Sequence, residues 1–260
     1  MSNKAIGIFD SGVGGLSIWK EIVALLPHEH TIYLADSKNA PYGQKSHQEI
    51  IDLCIKNTEF LLNQNCKIIV VACNTATTNA ISYLRNHYNV PFIGIEPAIK
   101  PAALHSKTKS IGILATKGTL NSKLFSSTSE KLADDIQIFE QIGEGLVPLI
   151  ETGKIHSIEM DKLLKKYLEN LSKNNIDHLV LGCTHYPFLI PKIKKFIGDK
   201  IKIIDSGEAV AKQTKNILLK NNLLNEELHQ ANHNLYSNLD EKIIAQFIQQ
   251  PQVNISYLDF

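Results

Sequence analysis

The sequence predicts an α/β protein of two similar domains, each with a mostly parallel sheet, related by pseudo-twofold symmetry across a shared cleft. Three observations carry that reading. Short apolar runs rich in Ile, Val and Leu alternate with amphipathic helical stretches, the pattern of βαβ units. The first set of runs is followed by a second at an offset of about 105–110 positions, Ile6 answering to Ile111 and Ile69 to Leu179. Matching letters travel with the offset. Ile6-Gly7-Ile8-Phe9-Asp10-Ser11 is echoed by Ile111-Gly112-Ile113-Leu114-Ala115-Thr116, and Ile69-Val70-Val71-Ala72-Cys73-Asn74-Thr75 by Leu179-Val180-Leu181-Gly182-Cys183-Thr184-His185.

In chain order, strands are expected over Ala5–Phe9, Thr31–Ala35, Lys67–Ala72 and Pro91–Ile95, then over Ser110–Leu114, Ile136–Gln141, His178–Leu181 and Lys202–Ile204. Among the intervening helices, Met160–Leu171 has the clearest helical period, through Leu163, Leu164, Tyr167, Leu168 and Leu171. Pro97 and Pro101 mark the crossing from the first half to the second. The segment Ser206–Phe260 has no counterpart in the repeat. It reads as a helix (Ala209–Leu219), a strand (Asn234–Ser237), a helix (Asp240–Gln249) and a last strand (Val253–Leu258). Too short for a core of its own, it is expected to complete one of the halves.

Composition narrows the classes of function. The 260 residues are 43% hydrophobic and 20% charged, enough for a core without crosslinks. A formal net charge of +1 gives no basic face for nucleic acid or an anionic membrane. Arg85 is the sole arginine, so guanidinium forks are disfavoured as the means of holding an acidic ligand. The longest apolar run, Ile68–Cys73, is far below the roughly 18–20 residues of a membrane span. The opening Met1-Ser2-Asn3-Lys4 is neither a signal nor a transit peptide. The four cysteines (Cys54, Cys66, Cys73, Cys183) form no CxxC pair, and the ten histidines form no HExxH. A cytoplasmic protein with reduced thiols and no structural metal is expected.

Two segments could carry chemistry. Asp10-Ser11-Gly12-Val13-Gly14-Gly15-Leu16-Ser17 joins a strand to a helix, where glycines allow close approach and free N–H groups favour an anion. Gly12-x-Gly14-x-x-Ser17 with Asp36 beyond nearly fits a dinucleotide fingerprint. Against that reading, a serine replaces the third glycine, and the Asp10 carboxylate opposes a pyrophosphate. Cys73 and Cys183 are the sharper candidates. Each follows a buried strand, the end at which open α/β sheets bind ligands, and each precedes polar residues at a helix start, which lowers a thiol pKa. His185 is placed to exchange a proton with Cys183. Cys54 and Cys66 read as buried apolar residues.

Five segments in register, Asp10-Ser11-Gly12-Val13-Gly14-Gly15-Leu16, Pro41-Tyr42-Gly43, Ala72-Cys73-Asn74-Thr75-Ala76, Leu114-Ala115-Thr116-x-x-Thr119 and Gly182-Cys183-Thr184-His185-Tyr186-Pro187, closely resemble bacterial glutamate racemases over essentially the whole chain. The resemblance implies a cofactor-independent isomerase that supplies D-glutamate for peptidoglycan. It implies two α/β domains with the site between them, residues 1–98 joined by a returning 206–260 in one and 99–205 in the other. It makes Cys73 and Cys183 the two catalytic bases, with Asp10 beside Cys73 and His185 beside Cys183. Ser11, Tyr42, Gly43, Asn74, Thr75, Thr116, Thr119 and Thr184 match substrate-binding positions, with Asp10 and His185 among them. Glu151 matches an acidic position near the cleft. The chain departs from the family at Glu144-Gly145-Leu146, where a Cys-Pro pair is common. No N-terminal extension for activation by a peptidoglycan precursor is expected, and a homodimer is common among such enzymes although no residue here marks an interface.

Inverting an α-carbon requires removing a proton from one face and returning one to the other, which two acid/bases on opposite faces do directly. On the resemblance, Cys73 serves D-glutamate and Cys183 serves L-glutamate. Related racemases of aspartate or hydantoins, a two-thiol redox protein and a binding protein for acidic amino acids are the other readings of the same residues.

Overall fold

The computed structural model describes residues 4–132, 135–225, 230–248 and 252–260. The first half runs β1 (Ile6–Asp10), α1 (Leu16–Leu25), β2 (Thr31–Ala35), α2 (His47–Asn63), β3 (Ile68–Val71), α3 (Asn74–His87) and β4 (Phe92–Gly94). The second follows with α4 (Ile99–His105), β5 (Ser110–Ala115), α5 (Lys117–Leu120), α6 (Lys123–Glu130), β6 (Gln137–Ile142), α7 (Leu146–Glu151), α8 (Ile158–Ser172), β7 (His178–Gly182), α9 (Ile190–Ile197) and β8 (Lys202–Ile204). The tail adds α10 (Gly207–Lys220), β9 (His233–Ser237), α11 (Glu241–Phe247) and β10 (Val253–Tyr257). Gln249, the expected end of the last helix, lies outside the described residues.

Two sheets form, in the orders β10-β9-β2-β1-β3-β4 and β6-β5-β7-β8. Every pairing among the described residues is parallel. Without the tail strands, the order β2-β1-β3-β4 is the order β6-β5-β7-β8, so β1 corresponds to β5 and β3 to β7. The central strands β1, β3, β5 and β7 are buried at every position, as helix-covered parallel strands must be. The tail joins the first sheet, β9 pairing with β2 from Thr31↔His233 to Ala35↔Ser237.

Element ends differ from expectation by one or two residues, for local reasons. β1 runs on to Asp10 because Asp10 still pairs with Ala35, and its carbonyl accepts the Asp36 N–H at 3.0 Å. α8 begins before Met160 because the Ser157 hydroxyl caps it, accepting the Met160 N–H at 3.1 Å.

One apolar cluster is continuous through both halves, uniting Ile6, Trp19 and Val70 with Leu146, Leu164, Tyr186 and Ile193. Separate clusters cover the outer faces of the first and second sheets. The chain crosses between the halves twice, and Ser206 Oγ, on the second crossing, donates to the Glu96 carbonyl of the first at 2.6 Å. The chain reverses sheet direction between β1 and β3 and again between β5 and β7, which puts two switch points opposite each other. Among the described residues no helix is long and apolar enough to cross a membrane.

Candidate active site

Four strand ends build the site. β1 delivers Asp10, β3 is followed by Cys73, β5 by Thr116 and β7 by Cys183. A narrow cavity lies among them. Of the residues expected from sequence, Ser11, Tyr42, Gly43, Cys73, Asn74, Thr75, Thr116, Cys183, Thr184 and His185 line it, together with Pro41 and Val147. Asp10, Thr119 and Glu151 stand one layer back, bonded to lining groups.

Cys73 is the N-cap of α3, and its sulfur accepts the Ala76 N–H at 3.4 Å. Its S–H reaches Ser11 Oγ at 3.7 Å. Burial, and then the Asp10 carboxylate, push the thiol well above its ordinary value, and the helix N–H offsets only part of that. Cys73 therefore rests as a thiol. Asp10 is fully buried, held by the Gly15 N–H at 2.8 Å and the Thr184 hydroxyl at 3.4 Å. Burial raises its pKa to about 6, against the opposing pull of His185.

Cys183 has a different neighbour. Its sulfur lies 3.7 Å from His185 Nδ1, and His185 Nε2 lies 2.5 Å from Glu151 Oε1. Burial alone would depress the imidazole, yet its bonds to Cys183 and Glu151 prevail and hold its pKa well above the ordinary value. Imidazolium is thus favoured directly beside the second thiol. The two cysteines that sequence assigns to packing, Cys54 and Cys66, are buried and pushed upward by burial, Cys66 to about 12.

The polar lining comes from both halves. Thr75, Thr116 and Thr119 form a triangle of hydroxyls with oxygens 2.8, 3.0 and 3.3 Å apart. Asn74 is 2% exposed, and both polar atoms of its amide lack a partner. A buried amide left so costs about 1–3 kcal/mol, which a bound polar ligand would recover. Arg85 is elsewhere, donating to the Phe92 carbonyl at 3.1 Å.

The glycine loop leaves no room for the pyrophosphate of the dinucleotide reading already disfavoured by its serine and Asp10. The space beside Gly12 and Gly14 is filled by the Glu151 carboxylate and the His185 ring. Asp36, the acid that reading would place on a ribose, is buried and accepts bonds from Tyr42, Asn39 and Asn238. Sequence reasoning missed Ser37, whose hydroxyl donates to Glu151 Oε2 at 2.8 Å, and Asn238. Neither stands in a motif, and only the fold brings them in.

Fold and site together define a class: paired parallel α/β halves presenting two thiols, each with its own acid–base neighbour, to one cavity. The chain belongs to the Asp/Glu/hydantoin racemase family, whose model matches residues 6–214. It is 45% identical to a glutamate racemase of Herpetosiphon aurantiacus over 230 residues, 88% of this chain and 91% of that one. Among solved structures it is similar to a glutamate racemase of Bacillus anthracis (TM-score 0.86, 31% identity, 98% of each chain). A glutamate racemase of Francisella tularensis in complex with D-glutamate matches with TM-score 0.84 and 30% identity, over 99% of this chain and 97% of that one.

Proposed function

We propose that the chain is a glutamate racemase that inverts the α-carbon of L- or D-glutamate by proton transfer between two thiols, supplying D-glutamate for peptidoglycan. The observation that carries this reading is the placement of Cys73 and Cys183 on one cavity, after the equivalent strands β3 and β7. The sheet memberships support residues 1–98 with 206–260 as one domain and 99–205 as the other. Four buried free thiols fit a reducing, cytoplasmic setting.

In the direction from L-glutamate, Cys183, beside His185, is the base that takes the α-proton, and the Cys73 thiol delivers its own to the opposite face. From D-glutamate the roles exchange: Cys73 first yields its proton toward Asp10, a carboxyl whose pKa near 6 suits the task. The developing negative charge on the α-carboxylate is met by the Asn74 amide, the hydroxyls of Thr75, Thr116 and Thr184, and N–H groups at the start of α3.

The test is chiral separation of products after incubating reduced protein with L-glutamate and, separately, with L-aspartate, no cofactor being added. D-glutamate should accumulate to an equal mixture. Cys73→Ala and Cys183→Ala should each slow it by about a thousandfold or more. Faster formation of D-aspartate would overturn the choice of substrate, and no D-product from either would overturn the reading.

A further inference from the structure

The glycine-rich loop faces the second half of the molecule. A Cβ on Gly12 would stand 2.0 Å from Glu151 Oε1, and one on Gly14 would stand 2.2 Å from His185 Nδ1. Neither glycine has a positive φ, so the backbone does not demand glycine there; the space does. Between them the Val13 N–H donates to Glu151 Oε1 at 2.7 Å, and Ser37 donates to Oε2 at 2.8 Å. Nearby, Ser17 Oγ donates to the Thr184 carbonyl at 2.9 Å. Both carboxylate oxygens of Glu151 are therefore anchored from across the cleft. From there the hydrogen-bonded chain runs through the His185 ring to Cys183. The groups around Cys73, namely Ser11, Asp10 and the Ala76 N–H, all belong to the first half, and none of them is hydrogen-bonded to Glu151 or His185.

We propose that Gly12, the Val13 N–H, Gly14 and Ser37 form a socket in the first half that positions the Glu151–His185 pair, and through it the proton chemistry of Cys183 but not of Cys73. The proposal rests on the racemase reading. It makes these four positioning residues, since none of them touches the reacting carbon, and it makes one of the two bases depend on the docking of the halves.

The test must read each face separately, which racemisation does not do because its equilibrium constant is fixed at one. Elimination from 3-chloroglutamate does. A single thiolate removes the α-proton, the C3–Cl bond breaks and chloride leaves, and no second base returns a proton to Cα. The released enamine is hydrolysed by water to 2-oxoglutarate and ammonium. Elimination would be measured with the L and D substrates in the wild type and in Cys183→Ala, which identifies the enantiomer that Cys183 serves.

For that enantiomer Ser37→Ala should lower kcat about tenfold and Gly14→Ala about a hundredfold, while the other enantiomer stays within about twofold. Ser37→Thr, which keeps the hydroxyl, should restore most of the loss. If Gly14→Ala misfolds, both enantiomers fall together with the far-ultraviolet circular dichroism, and Ser37→Ala decides. Equal loss for both enantiomers in Ser37→Ala, or none, would overturn the socket while leaving the racemase reading intact. A wild type that neither racemises glutamate nor eliminates chloride would overturn that reading and the socket with it.

Discussion

Asp10 is a carboxyl kept out of water at the end of β1, and holding it there has an energetic cost. Its folded pKa of about 6 exceeds the ordinary 3.8, so it favours folding when protonated. That contribution is fully present below pH 3.8 and is lost as pH rises through about 6. Asp10→Asn, which keeps shape and removes the charge, should therefore be more stable than the wild type above pH 6, by up to about 3 kcal/mol. The difference should vanish near pH 4, and activity should fall at every pH. Urea denaturation across pH 4–8 checks this; a variant equally or less stable at pH 8 would show that the carboxylate is better solvated than its surroundings indicate. Cys73 and Cys183 were legible in the sequence because each follows an apolar strand and precedes polar residues, and His185 because it stands two residues after Cys183; Asp10 was marked by the family resemblance. Gly12 and Gly14 were legible only as a loop, since the sequence does not show which side chain from the other half will occupy the missing Cβ positions.

The segment from Asp36 to Gln44 carries Tyr42 and Gly43 into the cavity on two short 3₁₀ turns, and its shape is set from elsewhere in the chain. Asp36 accepts the Tyr42 hydroxyl and the Asn39 amide, and Asn238, beyond β9, donates to it at 2.5 Å. Oδ1 of the Asn238 side chain in turn accepts the Lys38 N–H at 2.9 Å. Asn238→Ala should lower stability by about 1–3 kcal/mol by leaving a buried carboxylate short of a donor. It should also raise KM for glutamate, by up to about tenfold, with kcat little changed. Steady-state kinetics beside a denaturation curve separates these effects, and an unchanged KM in a destabilised variant would remove Asn238 from the positioning of Tyr42. The strands were readable from their β-branched runs. The turns at 37–44 and the short helices α5, α6 and α7 were not, because elements of four to eight residues show too little periodicity.

The halves share one apolar cluster and two crossings, and the cavity has walls from both, so neither half alone completes the site. The internal repeat made this arrangement legible, because matching letters at matching strand ends place one cysteine in each half. The tail was harder to place. Its lack of a repeat partner showed that it adds to a half, while its position beside β2 rests on edge pairing that leaves only a weak alternation in β9. The central claim is that two different thiols handle the proton, one on each face. It is tested most directly by following L-glutamate in deuterated water through early conversion, with chiral separation and proton NMR of both enantiomers. The account predicts that the D-glutamate formed carries deuterium at the α-carbon while the remaining L-glutamate keeps its proton. D-glutamate that retains the original proton, or an L-glutamate pool that exchanges as fast as product appears, would contradict it and point to a single base.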